Sequence, residues 1–147
     1  LTTPLEQAIA KPDPQDINFE IVGLLLTAGA DVNYNPDQGV TPLFWAAYSG
    51  RSDIVELLIN FGAHIDERYN LASEKIPGAL TQLQREVVMR GGTPIMIAVS
   101  MGNASAVQSL VNLGANKDIT ISTDDGELNA KSIADETGNF LISSMLD

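Results

Sequence analysis

The residues best suited to chemistry in this 147-residue sequence are few and poorly grouped. His64 is the single histidine, with Asp66 and Glu67 close behind it. Zinc sites draw three or four ligands from imidazoles, thiolates and carboxylates, so one imidazole beside two turn carboxylates is a poor set. The plainer expectation for His64 is a solvated turn residue. Asp124-Asp125-Gly126 lacks the alternate-residue ligands of a calcium loop and reads as a tight turn between two strands. Gly91-Gly92 has neither the wider glycine spacing nor the lysine of a phosphate loop. No Gly-x-Ser-x-Gly elbow occurs, and a Ser–His–carboxylate triad would have to recruit His64. The sequence has no cysteine, hence no thiolate nucleophile, thiolate ligand or disulfide. Carboxylates are numerous, yet nothing in their spacing converges two of them on a cleft. The expectation is a chain with no catalytic residue, no cofactor and no metal.

Composition narrows the partners. Eight basic against nineteen acidic side chains give a net charge of −11. That field repels nucleic-acid phosphates and anionic lipid, so no nucleic acid and no membrane is expected as partner; a protein with a basic surface is favoured. The same charge keeps a monomer soluble. The most apolar run, 21–30, is bounded by Glu20 and Asp31 and falls short of the about 18 residues a membrane helix needs. Leu1-Thr2-Thr3-Pro4 has no basic, then apolar, leader pattern, and a cytoplasmic location is expected.

The elements that must position any site come from an internal repeat. Thr-Pro followed by Leu or Ile occurs at Thr3, Thr41 and Thr93, with alanine at the same offset in Ala8, Ala46 and Ala98. Gly-Ala closes each unit at Gly29, Gly62 and Gly114. Thr41 to Gly62 and Thr93 to Gly114 both span 21 residues, and Thr3 to Gly29 spans 26. Threonine can cap a helix start, and proline at the first helical position sacrifices no hydrogen bond. A first helix is therefore expected from about Pro42 to Ser49, broken by Gly50. A second shows Ile54, Val55, Leu57, Leu58 and Phe61 on one face, stopped by Gly62. Unit one offers Ile21, Val22, Leu24, Leu25 and Ala28 in the same places. Unit three offers Ala106, Val107, Leu110 and Leu113, with Ser109 where the others have Leu.

Thr41-Pro42-Leu43-Phe44-Trp45-Ala46-Ala47, then Gly50, Ile54-Val55-Glu56-Leu57-Leu58 and Gly62-Ala63, together resemble the ankyrin repeat. Leu25 with Gly29-Ala30-Asp31-Val32-Asn33 resembles the end of one. Ala130-Lys131-Ser132-Ile133-Ala134 with Gly138-Asn139 resembles a capping repeat, its inner face being Ile142, Met145 and Leu146. The resemblance implies an all-α ankyrin-repeat solenoid over 1–147. It would hold three repeats at about 1–33, 34–66 and 90–118, a C-terminal cap at about 126–147, and short β-hairpin connections. The family commonly has His after Thr-Pro-Leu. Here Glu6, Phe44 and Met96 stand instead, so that histidine's polar network between repeats is absent or different. Leu1 falls two residues before Thr3, which leaves no room for a first hairpin strand and leaves open a preceding repeat; Asp147 follows the last helix, where a natural end is expected.

Two segments exceed the repeat period. A loop is expected at 11–16, where two prolines and two aspartates interrupt unit one. An insertion occupies about 67–92, in the connection between units two and three. Within it, Leu80, Leu83 and Val87 have helical spacing, while Val87-Val88-Met89 reads equally as a strand. Its mixed charges and apolar residues suit an amphipathic element that docks on its neighbours or on a partner, against a loop with no role.

The resemblance implies a protein–protein interaction scaffold that uses hairpin tips and the concave face of the stack. On this chain those positions are Asn35, Asp37, Gln38, Val40, Tyr48, Ser49, Met89, Arg90, Ser100 and Met101. Trp45 is expected inside, and Tyr34 and Tyr69 where solvent or a partner covers them. The alternatives are a substrate-recognition module of a larger enzyme or effector, and a structural spacer. Asn33 resembles the asparagine that ankyrin repeats present to asparaginyl hydroxylases; the other reading is a turn-forming residue.

Overall fold

A computed structural model describes residues 3–10, 17–35, 40–69 and 79–147. The loop expected at 11–16 lies outside them. Helix starts follow the Thr-Pro signals. Ahead of α1 (Pro4–Ala10), Thr3 Oγ1 accepts from the Glu6 amide at 3.2 Å and the Glu6 carboxylate accepts from the Thr3 amide at 2.8 Å. This reciprocal cap lets Glu6 be buried. Thr41 caps α3 (Pro42–Ser49) by accepting from the Phe44 amide at 3.3 Å. Asn129 and Ser132 form the same box at α8 (Ala130–Glu136). The third Thr-Pro departs from expectation: Thr93 precedes α6 (Pro94–Ser100) without a side-chain cap, its hydroxyl buried and unpartnered.

Each first helix is followed by a second: α2 (Ile17–Thr27), α4 (Ser52–Asn60), α7 (Ala104–Asn112) and α9 (Phe140–Met145). First helices pack in one layer, α1 on α3, α3 on α6 and α6 on α8. Second helices pack likewise, α2 on α4, α4 on α7 and α7 on α9. Between the layers lie Ile54, Val55 and Leu58, Ala106, Val107 and Leu110, and Ile142 with Leu146, all buried. Ala46 and Ala47 are wholly buried too, and their small side chains let neighbouring helices approach. Phe61 and Leu113, expected inside, are exposed because each sits at the C-cap, beyond the last helical turn. In α2 Asn18, Val22 and Leu26 are buried, whereas Ile21 and Leu24 are exposed, as is Ala28 just beyond the helix.

Polar clamps tie successive repeats. Asn33 Oδ1 accepts from the His64 amide at 2.9 Å and its Nδ2 donates to Gly62 O at 3.0 Å. Asp66, one repeat on, accepts from the Asn116 amide at 2.8 Å. Asn103 Nδ2 donates to the Ala47 and Tyr48 carbonyls, 2.9 and 3.0 Å away, at the end of α3. These bonds lie outside the Thr-Pro-Leu positions where the family's histidine would act.

Only one connection is a β-hairpin among the described residues. β1 (Ile121–Thr123) pairs antiparallel with β2 (Gly126–Leu128) across the turn Asp124-Asp125. The described parts of the connections after α2 and α4 are turns.

The insertion holds a helix, not a strand: α5 (Gln82–Met89), opened by a Thr81–Gln84 capping box. Val87 and Val88 are buried, Leu80 and Leu83 rest against the core, and Gln84 Nε2 donates to Ser100 O at 3.1 Å. The insertion closes where the Tyr69 amide donates to Gly92 O at 3.1 Å. The Gly92 amide in turn donates to Val87 O at 2.9 Å, and a Cβ on Gly92 would stand 2.5 Å from that oxygen. Glycine is required by this close approach.

Two substitutions test the packing by urea unfolding. Leu58→Ala removes a wholly buried side chain and is expected to cost about 2–5 kcal/mol. Gly92→Ala forces backbone apart and is expected to cost about 1–3 kcal/mol; an unchanged midpoint would show that α5 does not approach Gly92 this closely.

Candidate partner-binding surface

The residues expected to meet a partner divide by burial. Asn35 and Ser49 are exposed, and Met89 at the end of α5 is exposed as well. Tyr48 is half-buried, stacked on Phe44 with ring centroids 5.9 Å apart and edge-on to Trp45 at the same distance. Met101 is half-buried against the core. Asp37 and Gln38 lie outside the described residues. Val40 and Ser100 need correction, since both are buried. Val40 belongs to the core cluster just ahead of α3. The Ser100 hydroxyl donates to Ile97 O while its carbonyl takes the Gln84 bond from α5, so the inserted helix covers what would otherwise be an open first-helix edge.

The aromatics are corrected in the same way. Tyr69 is buried against Phe44 by the protein itself, centroids 4.6 Å apart and rings nearly perpendicular. Burial pushes its phenol well above the usual tyrosine range, and its hydroxyl has no hydrogen-bond partner. Trp45 is half-buried beside Phe44, at 5.3 Å, with its indole nitrogen enclosed. Tyr34 remains exposed. His64 is exposed, its Nδ1 3.5 Å from a Glu67 oxygen. Asn33 occupies a turn, with both ends of its amide engaged.

A groove of about 550 Å³ opens where α5 faces the β1–β2 hairpin and α8. Leu83 and Leu128 supply its apolar surface; Glu86, Asp125, Glu127 and Glu136 are among its acidic lining. Arg90 spans one side, donating to Glu86 at 2.8 Å and to Asp124 at 3.0 Å, and so ties α5 to the turn. A hydrogen bond from the Ser122 hydroxyl holds the Glu127 carboxyl below the usual range. These carboxylates line a wall and do not close on a point: no three metal-ligating side chains cluster among the described residues. The arrangement can present charge to an extended cationic ligand. Sequence reasoning noticed both contributors, the Asp124–Glu127 run and the Leu80/Leu83/Val87 spacing, but had no signal that they face each other.

Two family models match the chain, one described as ankyrin repeats (3 copies) at residues 2–69 and one as ankyrin repeats (many copies) at 44–111. The chain belongs to the ankyrin-repeat family. Ankyrin repeat domain-containing protein 63 of Homo sapiens is 31% identical over 109 residues, 74% of this chain and 23% of its own length. Protein fem-1 homolog C of Xenopus laevis is 41% identical over 49 residues, 33% of this chain and 8% of its own. A putative palmitoyltransferase, ZDHHC13, of Danio rerio is 33% identical over 103 residues, 70% of this chain and 13% of its own. The ankyrin chain thus spans less than a quarter of each of these relatives. Ankyrin repeats are in general protein–protein interaction modules and typically non-catalytic. No helix among the described residues is long and apolar enough to cross a membrane.

Asn103 offers a test of how the concave side is held. Its amide is the side-chain partner of two carbonyls at the end of α3, beside Tyr48 and Ser49. Asn103→Ala is expected to cost about 1–3 kcal/mol, because the carbonyls lose their partner in a half-buried place. Thermal unfolding with an unchanged midpoint would show that solvent replaces the clamp without loss.

Proposed function

We propose that this ankyrin stack is a non-catalytic recognition module whose partner is a basic protein segment carrying an apolar side chain. The observation that supports it is the α5–hairpin groove, acidic on its walls and apolar at Leu83 and Leu128. An apolar anchor gains by leaving water there, while flanking lysines or arginines meet Glu86, Asp125, Glu127 and Glu136. The net charge of −11 draws the same kind of partner from a distance. Exposed Ser49, Asn35 and Met89, with Tyr48 beside them, would extend the contact along the concave face.

A second reading, a substrate-recognition module within a larger enzyme, is favoured by one observation. A relative named as a putative palmitoyltransferase carries a matching segment. Both readings assign this chain the same task, binding. They part on whether a catalytic domain accompanies it in the full-length gene product.

Selection of random peptides against the immobilised protein tests the groove. The expected winners place Lys or Arg on both sides of Leu or Met. Their affinity should fall as ionic strength rises, because exposed charge pairs are screened. Asp125→Lys with Glu136→Lys should weaken binding at least tenfold, about 1.4 kcal/mol, without changing the unfolding midpoint. Winners without basic residues, or affinity indifferent to the double charge reversal, would sink the proposal.

A further inference from the structure

The acidic groove between α5 and the hairpin already meets a cation, and that cation belongs to the chain itself. Arg90, at the C-cap of α5, spreads its guanidinium between two elements. Its Nε donates to Glu86 Oε2 at 2.8 Å, one helical turn back, and its Nη2 donates to Asp124 Oδ1 at 3.0 Å on the hairpin turn. Arg90 takes one oxygen of each carboxylate. Among the described residues Glu86 Oε1 and Asp124 Oδ2 have no hydrogen-bond partner, and both side chains line the groove. Two acceptors on separate elements, met by two donors of one planar group, make a bracket suited to a guanidinium. An ammonium is a compact point charge and does not present such a fork.

The bridge is weak, and the fold does not lean on it. The Asp124 side chain is 87% exposed and that of Arg90 36%. Ion pairs this open contribute about 0–1 kcal/mol. The hairpin is held elsewhere, by Arg68 Nη2 donating to Thr120 O at 3.1 Å and by β2 packing on α8. α5 is held by its buried Val87 and Val88. We propose that the Glu86–Asp124 bracket is an arginine site, filled by Arg90 while the protein is free and by an arginine of the partner in the complex. This rests on the basic-segment reading above and deepens it: the partner's cation at this end of the groove is a guanidinium, and Arg90 competes with it. Arg90 thereby disfavours segments whose only cations are lysines, because an ammonium cannot replace a guanidinium on both carboxylates at once.

Two capped peptides probe the site by calorimetric titration: Gly-Arg-Arg-Leu-Arg-Arg-Gly, and the same peptide with lysine for every arginine. Arg90→Gln empties the bracket and should tighten the arginine peptide at least fivefold, about 1 kcal/mol, and the lysine peptide only about twofold. Arg85→Gln removes the same charge from the same helix away from the bracket, and should change either peptide by less than about twofold. Arg90→Lys keeps the charge but loses the fork, and should still tighten the arginine peptide, by about twofold. The unfolding midpoint of Arg90→Gln should stay within about 3 °C of the wild type. Unchanged or weaker binding of the arginine peptide to Arg90→Gln would overturn the proposal, as would equal gains with both peptides or a midpoint that falls further. The groove itself is tested in parallel, since Asp125→Lys with Glu136→Lys should weaken both peptides. If that weakening is seen while Arg90→Gln gains nothing, the groove stands and the arginine site falls. If neither peptide binds the wild type or Arg90→Gln, both fall.

Discussion

No helix pair in this protein can bury its own apolar face, and every other feature depends on that. A first and second helix make a unit with one inward surface and two flat sides. The sides are apolar at the Ile54, Val55 and Leu58 positions and find cover only against the next unit. Burying a leucine or isoleucine contributes about 1.5–3 kcal/mol, whereas a clamp such as Asn103 contributes nearer 1 kcal/mol net. Apolar stacking therefore sets whether the stack exists, and the polar clamps set its register. The clamp geometry recurs, Asn33 to the His64 amide and Asp66 to the Asn116 amide, because each unit meets its neighbour in the same way.

The same constraint explains where the protein tolerates extra chain and what the extra chain does. Residues added within a helix would shift its stacking face, while residues added between helices can leave the faces in contact. The insertion enters between pairs, is pinched shut by the Tyr69–Gly92 bond, and folds its own helix back onto α6. In doing so it covers Ser100 and builds one wall of the acidic groove.

Much of the fold was legible because its signals are local. Thr-Pro starts and Gly stops act through backbone chemistry within a few residues, and the first three helix pairs lie where those signals place them; the fourth opens on the Asn129–Ser132 box instead. The inserted helix was legible as one of two readings; its Thr81–Gln84 box needs only neighbours in sequence. What could not be read depends on contacts made across the chain. Val40 and Ser100 looked like surface residues because the core and α5 that cover them come from elsewhere. Tyr69 looked free because Phe44, its cover, is in the preceding repeat. The Asn103 clamp joins groups 55 residues apart in sequence, and the groove joins α5 to a hairpin some forty residues further on. Thr93 shows the reverse case, a local signal present whose hydroxyl makes no cap.

Stacking as the sole source of order can be put to one direct measurement, the thermal unfolding of fragment 1–91 beside the whole chain. The cut removes α6 and α7, which cover the trailing faces of α3 and α4. If each unit is held by its neighbours, the fragment should lose its sigmoidal transition or melt at least 10 °C earlier, several kcal/mol for a domain of this size. A fragment that unfolds cooperatively at the midpoint of the whole protein would contradict the account.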